Sequence, residues 1–319
     1  MTKPLLTAVT LLFINITLMA AWNRDTSFTE TVIVLHTATG DISGTLTIPN
    51  EQAGKMPVAL IIAGSGPTDR NGNNPMMKNE SLQKLAYGLA ANNIASLRFD
   101  KRGIGQSRSA GKSEADLRFE DYISDAKGWI ALLKKDDRFS KVIVTGHSEG
   151  SLIGMIAALD LAHGFISIAG AGKSADKILK EQLAAQPAQV KDPSFPIIDS
   201  LVMGKTVESV PPILTALFRP SVQPYMISWF HYDPQTEIKK LKIPVLVIQG
   251  TNDLQVTVDD AKLLVKANTH AQLLLIQNMN HIFRIVEGDK KENLATYITP
   301  ELPISDELVK SIAQFIRRN

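Results

Sequence analysis

The five residues Gly146-His147-Ser148-Glu149-Gly150 follow the apolar run Lys141-Val-Ile-Val-Thr145 and lead into the helical pattern Ser151-Leu-Ile-Gly-Met-Ile-Ala-Ala-Leu159. A serine flanked this way at a sharp strand-to-helix turn is presented at the tip of a sheet, where its hydroxyl can attack a carbonyl carbon. The chemistry is acyl transfer, and it needs partners. A hydroxyl is a weak nucleophile, so a histidine must take its proton and a carboxylate must orient that histidine. Other chemistries lack their residues. The 319-residue chain has no cysteine, hence no thiolate, disulfide, iron–sulfur cluster or cysteine-type zinc site. No two histidines have helix spacing and no His-Glu-x-x-His occurs, so metal catalysis lacks a ligand set.

The elements that must position such a site alternate. Apolar strands are expected at Thr31–His36, Ile42–Ile48, Val58–Ala63, Ile94–Phe99, Val142–Thr145, Phe165–Ala169, Val245–Gln249 and Leu273–Ile276. Helices are expected at Ser81–Ala91, Glu120–Lys135, Ser148–Leu161, Asp259–Lys266 and Ser305–Arg317. Unbroken apolar strands belong in a sheet covered on both faces, and the alternation predicts an α/β fold with a mostly parallel eight-stranded sheet. The first two strands, joined around Thr39-Gly40-Asp41, read as an antiparallel hairpin at one edge. From 173 to 242 no strand pattern appears and eight prolines occur. So long an insertion is seldom idle loop, and we read it as a helical cap inserted after the sixth strand. The divisions expected are therefore a signal peptide over 1–21, a core over 22–172 and 243–319, and the cap over 173–242.

At the serine motif the chain resembles the α/β-hydrolase superfamily, from about Thr31 to the carboxyl end. Two further segments support the resemblance. Ile61-Ile-Ala-Gly64-Ser65-Gly66-Pro67-Thr68-Asp69-Arg70-Asn71-Gly72-Asn73 occupies the place of the family's His-Gly-x-Gly loop, with Ala63 where the histidine usually stands. Leu97-Arg98-Phe99-Asp100-Lys101-Arg102-Gly103-Ile104-Gly105-Gln106-Ser107 is similar to its Asp-x-Arg-Gly-x-Gly-x-Ser loop. Together they look most like bacterial carboxylesterases of the serine-aminopeptidase-like branch. Neither loop has the Gly-Lys-Ser/Thr ending or third glycine of a nucleotide site, and Asp100 and Arg102 read as local turn or salt-bridge partners.

The family order of serine, acid, histidine directs the remaining assignments. Of six histidines, His281 alone lies in a loop just beyond the last strand, after Leu273-Leu-Leu-Ile-Gln-Asn-Met-Asn. The strand Pro244-Val-Leu-Val-Ile-Gln-Gly250 ends in Thr251-Asn252-Asp253, which makes Asp253 the acid; Asp259 and Asp260 read instead as the first turn of a helix. The resemblance implies an oxyanion hole from the backbone N–H groups of Ser65 and Glu149, with Gly66 as the alternative to Ser65. The Glu149 side chain could recognise a substrate amine, as in an aminopeptidase, or simply pair with a neighbouring base. Tyr225, Trp229 and Phe230 have helix spacing in the cap and are the expected substrate-binding rings, narrowing the pocket to short acyl groups.

The reading is thus a hydrolase of short-chain carboxylic esters acting through an acyl-enzyme. A serine aminopeptidase or amidase is the second reading, and a non-catalytic ligand-binding protein on this scaffold the third. No cofactor and no metal are implied; the partner is a small-molecule ester, and a homo-oligomer stays open. Thirty-four basic against 32 acidic side chains leave +2, too balanced for a nucleic-acid partner. Lys3, the apolar Leu5–Ala21 and small residues at Ala20 and Ala21 read as a secretory signal peptide, an uncleaved anchor being the second reading. Export to the periplasm or medium, with no stable membrane association after cleavage, is the expected consequence.

Overall fold

A computed structural model describes residues 27–50 and 54–319. The signal-peptide reading of 1–21 lies outside the described residues. Eight strands form one sheet: β1 (Phe28–Thr37), β2 (Gly40–Pro49), β3 (Met56–Ile62), β4 (Ala95–Phe99), β5 (Phe139–His147), β6 (Gly164–Ile168), β7 (Val245–Gly250) and β8 (Gln272–Ile276). Their order across the sheet is β1-β2-β4-β3-β5-β6-β7-β8. The β1–β2 hairpin and the β2–β4 pair are antiparallel, and every later neighbour is parallel. Alternation along the central strands divides the core. Val58, Leu60 and Ile62 of β3 pack in the cluster on one face, while Ala59 and Ile61 pack in that on the other.

Helices cover both faces. On one side lie α1 (Ser81–Ala90) and, at the end of the chain, Asp306–Arg318, whose first turn is acidic, whose last is basic, and which Ser305 caps by accepting the Leu308 N–H. On the other side lie α2 (Phe119–Lys135) and α3 (Glu149–Ala158). The third helix stops at Ala158, short of the expected Leu161, because Leu159 leaves helical geometry (φ −56°, ψ 123°).

The segment between β6 and β7 is helical: α4 (Ala175–Ala184), α5 (Ala188–Val202), α6 (Thr215–Phe218), α7 (Gln223–Phe230) and α8 (Pro234–Lys240). Pro193 and Pro196 lie inside α5. This segment has a buried cluster of its own, built from Leu183, Ile197, Ile198, Leu201, Leu214, Phe218 and Met226. Its last helix behaves differently. Ile238 of α8 and the following Leu241 join the main core, where α8 packs on α3 and on α9 (Val258–Ala267). A short α10 (Lys290–Ala295) precedes the carboxyl-terminal helix, α11.

Candidate active site

Ser148 sits between the end of β5 and the first residue of α3 with φ 54° and ψ −122°, a conformation that costs a non-glycine residue on the order of 1–3 kcal/mol. The flanking glycines make the turn feasible. A Cβ at Gly146 would lie 2.2 Å from the Gly150 carbonyl oxygen, and one at Gly150 would lie 2.4 Å from that of Ile62. The Ser148 N–H donates to Ile168 O at 3.0 Å, tying the turn to the neighbouring strand β6.

The ends of β7 and β8 bring the acid to the histidine. Past Gly250, the N–H groups of Thr251 and Asn252 donate to Ile276 O and Met279 O, each at 3.0 Å, so the two loops run together. His281 Nδ1 then lies 2.8 Å from Asp253 Oδ2, with both side chains buried. Asp253 also accepts from Gln249 Nε2 and from the N–H groups of Gln255 and Val256. Burial pushes the Asp253 carboxyl up, but the His281 charge and hydrogen bond, with the Val256 and Gln255 N–H groups, outweigh it and hold it below its ordinary value. An ionised Asp253 fixes the proton on Nδ1 and leaves Nε2 free to accept another. Asp259 is exposed and pairs with Lys262, whereas Asp260 is buried and caps α9 through Thr257.

His147 supports the same loop from beneath. Its ring lies 4.8 Å from that of His281 and edge-on to Phe283, and Nε2 donates to His281 O at 2.9 Å. Burial, reinforced by His281, drives its pKa down to about 3, so it is a neutral donor at ordinary pH.

The first glycine loop passes directly over Ser148: a Cβ at Gly64 would meet the serine Cβ at 3.1 Å. Asp69 Oδ1 folds the loop by accepting from the N–H groups of Asn71 and Asn73, and Arg70 anchors it to Asp100 at 2.7 Å. Arg102 pairs with Asp125, so Asp100 and Arg102 are both salt-bridge partners, as expected. Among the described residues, the backbone N–H groups of Ser65 and Glu149 donate to no protein acceptor, and both residues line the cavity that holds Ser148. The Glu149 side chain is not turned to solvent. It is buried, with Oε2 3.1 Å from Lys101 Nζ and Oε1 accepting from the Tyr225 hydroxyl at 2.6 Å.

Two cavities meet at Ser148. A small one of about 70 Å³ is lined by Ser148, His281, Asn79, Ser81, Gln255 and Tyr297. A larger one of about 560 Å³ runs under the inserted helices past Leu152, Ile178, Leu179, Leu217, Met226 and Trp229. Of the three expected substrate-binding rings, Tyr225 and Trp229 line this cavity and Phe230 does not. Phe230 packs against the inserted segment's own apolar cluster instead, because the next residue along a helix points about 100° away from Trp229. The face of α7 that carries Tyr225 and Trp229, continued by Tyr232, leans on Phe119 at ring distances of 6.2, 6.0 and 5.4 Å. The rings therefore wall one side of the cavity rather than fill it. Lys101 and His147 were not singled out from the sequence as parts of the site, since each owes its place to residues distant in the chain, and Gln249, which holds Asp253 from four residues away, reads in the sequence as the polar end of a strand.

The chain is similar to known proteins in sequence and in fold. Residues 78–207 match the family model for serine aminopeptidase, S33. Esterase EstD of Thermotoga maritima is 27% identical over 271 residues, which cover 81% of this chain and 61% of that protein, so the chain spans under two thirds of its relative. Among solved structures, Est1E from Butyrivibrio proteoclasticus superposes with a TM-score of 0.59 at 17% identity, covering 90% of this chain and 99% of that one. The Pyrococcus furiosus esterase Pf2001 gives 0.55 at 14% identity, with 92% and 93% covered. The sheet order, the strained serine at the end of β5 and these similarities give the chain the α/β-hydrolase fold.

Proposed function

We propose that this chain is a carboxylesterase using Ser148 as nucleophile, His281 as base and Asp253 as the acid that orients it. The observation that carries the reading is the buried His281–Asp253 pair at 2.8 Å in the loop that shares a cavity with the strained Ser148. Ser148 Oγ attacks the ester carbonyl and its proton passes to His281 Nε2. Collapse of the tetrahedral adduct breaks the C–O bond, and the same proton goes to the departing alkoxide; water then repeats the sequence on the acyl-serine. The Ser65 and Glu149 N–H groups receive the oxyanion, each worth about 2.7–4 kcal/mol in comparable sites.

The cavities suggest which part of the ester goes where. The leaving alcohol takes its proton from His281, so it departs into the small polar cavity that His281 lines, and the acyl group occupies the 560 Å³ apolar one. Pockets of about 300–1,000 Å³ hold drug-sized ligands, so acyl groups beyond butyryl fit, longer than the short chains expected from the cap rings. An aminopeptidase would need a free carboxylate for the substrate's amino terminus. Among the described residues lining the large cavity the one acid is Glu149, and Lys101 and Tyr225 already occupy it.

The test is hydrolysis of p-nitrophenyl esters against amino-acid p-nitroanilides. Ser148→Ala should lower ester turnover by about 10⁴-fold or more with the fold intact, and Asp253→Asn by a comparable factor. Undiminished turnover in pure Ser148→Ala would overturn the assignment, and faster anilide than ester cleavage would restore the peptidase reading. Absence of any turnover or serine labelling by a fluorophosphonate would favour a non-catalytic binding protein. Export to the periplasm or medium belongs to the same proposal; a mature amino terminus still beginning at Met1 would contradict it.

A further inference from the structure

Lys101 is 2% exposed, an unusual place for an ammonium. Its Nζ donates to Gly64 O at 2.6 Å and to Glu149 Oε2 at 3.1 Å, and lies 5.0 Å over the Tyr122 ring. Burial, then the Glu149 charge, raises the Tyr225 phenol well above its ordinary value, so Tyr225 stays protonated and donates to the remaining Glu149 oxygen. Lys101 and Glu149 are partners, and among the described residues neither side chain hydrogen-bonds to Ser148 or His281.

The contact with Gly64 matters because of what the carbonyl is joined to. Gly64 C=O and Ser65 N–H belong to one planar trans peptide, so they point in opposite directions. An ammonium bonded to the oxygen fixes the direction of the N–H on the other side and increases its polarity. The second donor, the Glu149 N–H, belongs to the residue whose carboxylate the same ammonium holds. We propose that Lys101 is a positioning residue for the oxyanion site, aiming the Ser65 N–H through Gly64 O and holding the first turn of α3 through the Glu149 carboxylate. This rests on the serine-esterase reading above. The competing role is charge balance alone: Lys101 would be present because Glu149 is buried, and removing both charges together would then be harmless.

Paired variants separate the two. Lys101→Met should lower kcat about tenfold with KM within twofold, since losing a donor outright costs about 10²–10³ and misaiming one costs less. It should also lower Tm, because Glu149 is left without its cation. The double variant Lys101→Met/Glu149→Gln removes that stranded charge and keeps an acceptor for Tyr225. It should regain Tm while kcat stays down by about tenfold, and the rate at which a p-nitrophenyl phosphonate inactivates Ser148 should fall by the same factor, its phosphoryl oxygen using the same donors. Recovery of Tm and kcat together, or a change confined to KM, would overturn the proposal. Wild-type turnover that Ser148→Ala abolishes tests the esterase reading separately, so a fully active double variant beside it would remove the role of Lys101 and leave the esterase standing.

Discussion

His147 is buried against His281 with its pKa lowered to about 3, against about 6.5 in an unfolded chain. Between those values the unfolded chain binds a proton that the folded protein refuses, so stability is complete above about pH 6.5 and falls as the pH drops toward the folded value. The slope for one such group reaches about 1.4 kcal/mol per pH unit. Asp253, held below the ordinary carboxylate value, adds a loss of the same sign at lower pH, below about 4. His147→Gln keeps an N–H for His281 O and carries no titrating proton. Its melting temperature should therefore decline less steeply than wild type between pH 6.5 and 4, measured by circular dichroism at constant ionic strength. Parallel declines would mean that His147 titrates near its ordinary value and that the ring is better hydrated than its packing implies.

The turn between β5 and α3 is the element on which the site depends most. A Cβ on Gly150 would lie 2.4 Å from Ile62 O, at the end of β3, and 2.5 Å from Ala63 O, the first residue past it, both backbone atoms that lead into the first glycine loop. Neither can yield without moving the loop off Ser148. Gly150→Ala should accordingly cost roughly 3 kcal/mol or more of stability, and any folded fraction should lose turnover. A denaturant midpoint equal to wild type would show the two elements to be looser than drawn. This turn was legible in the sequence because its signal is local: five consecutive residues between an apolar run and a helical period. The central strands were legible for a similar reason, being buried on both faces and written as unbroken apolar runs. Their order was not, since the placement of β4 between β2 and β3 depends on pairing across the sheet. Lys101 was equally hidden. In Asp-Lys-Arg-Gly it has the composition of a solvated turn, and its ammonium is held by Gly64, 37 residues back, and by Glu149, 48 residues on.

At the scale of the whole molecule, the proposed esterase takes its reacting groups from the sheet and the volume around the acyl chain from the inserted helices. The inserted segment holds its shape through its own apolar cluster, and its outer helices can therefore vary the cavity without disturbing the Ser148–His281–Asp253 geometry. Leu179 of α4 is half-buried and lines the large cavity, whereas the small cavity beside His281 is lined from the sheet loops. Leu179→Trp should narrow the first and leave the second unchanged. Across p-nitrophenyl esters from acetate to decanoate, kcat/KM for the longer acyl groups should fall relative to acetate, by about 10–200-fold where a methylene no longer fits. Acetate turnover and Ser148 labelling should stay near wild type, since no group of the reacting centre touches this position. If acetate and decanoate decline together, the change has reached the serine itself. If neither declines, the acyl chain runs elsewhere, and the small cavity beside His281 becomes its alternative seat.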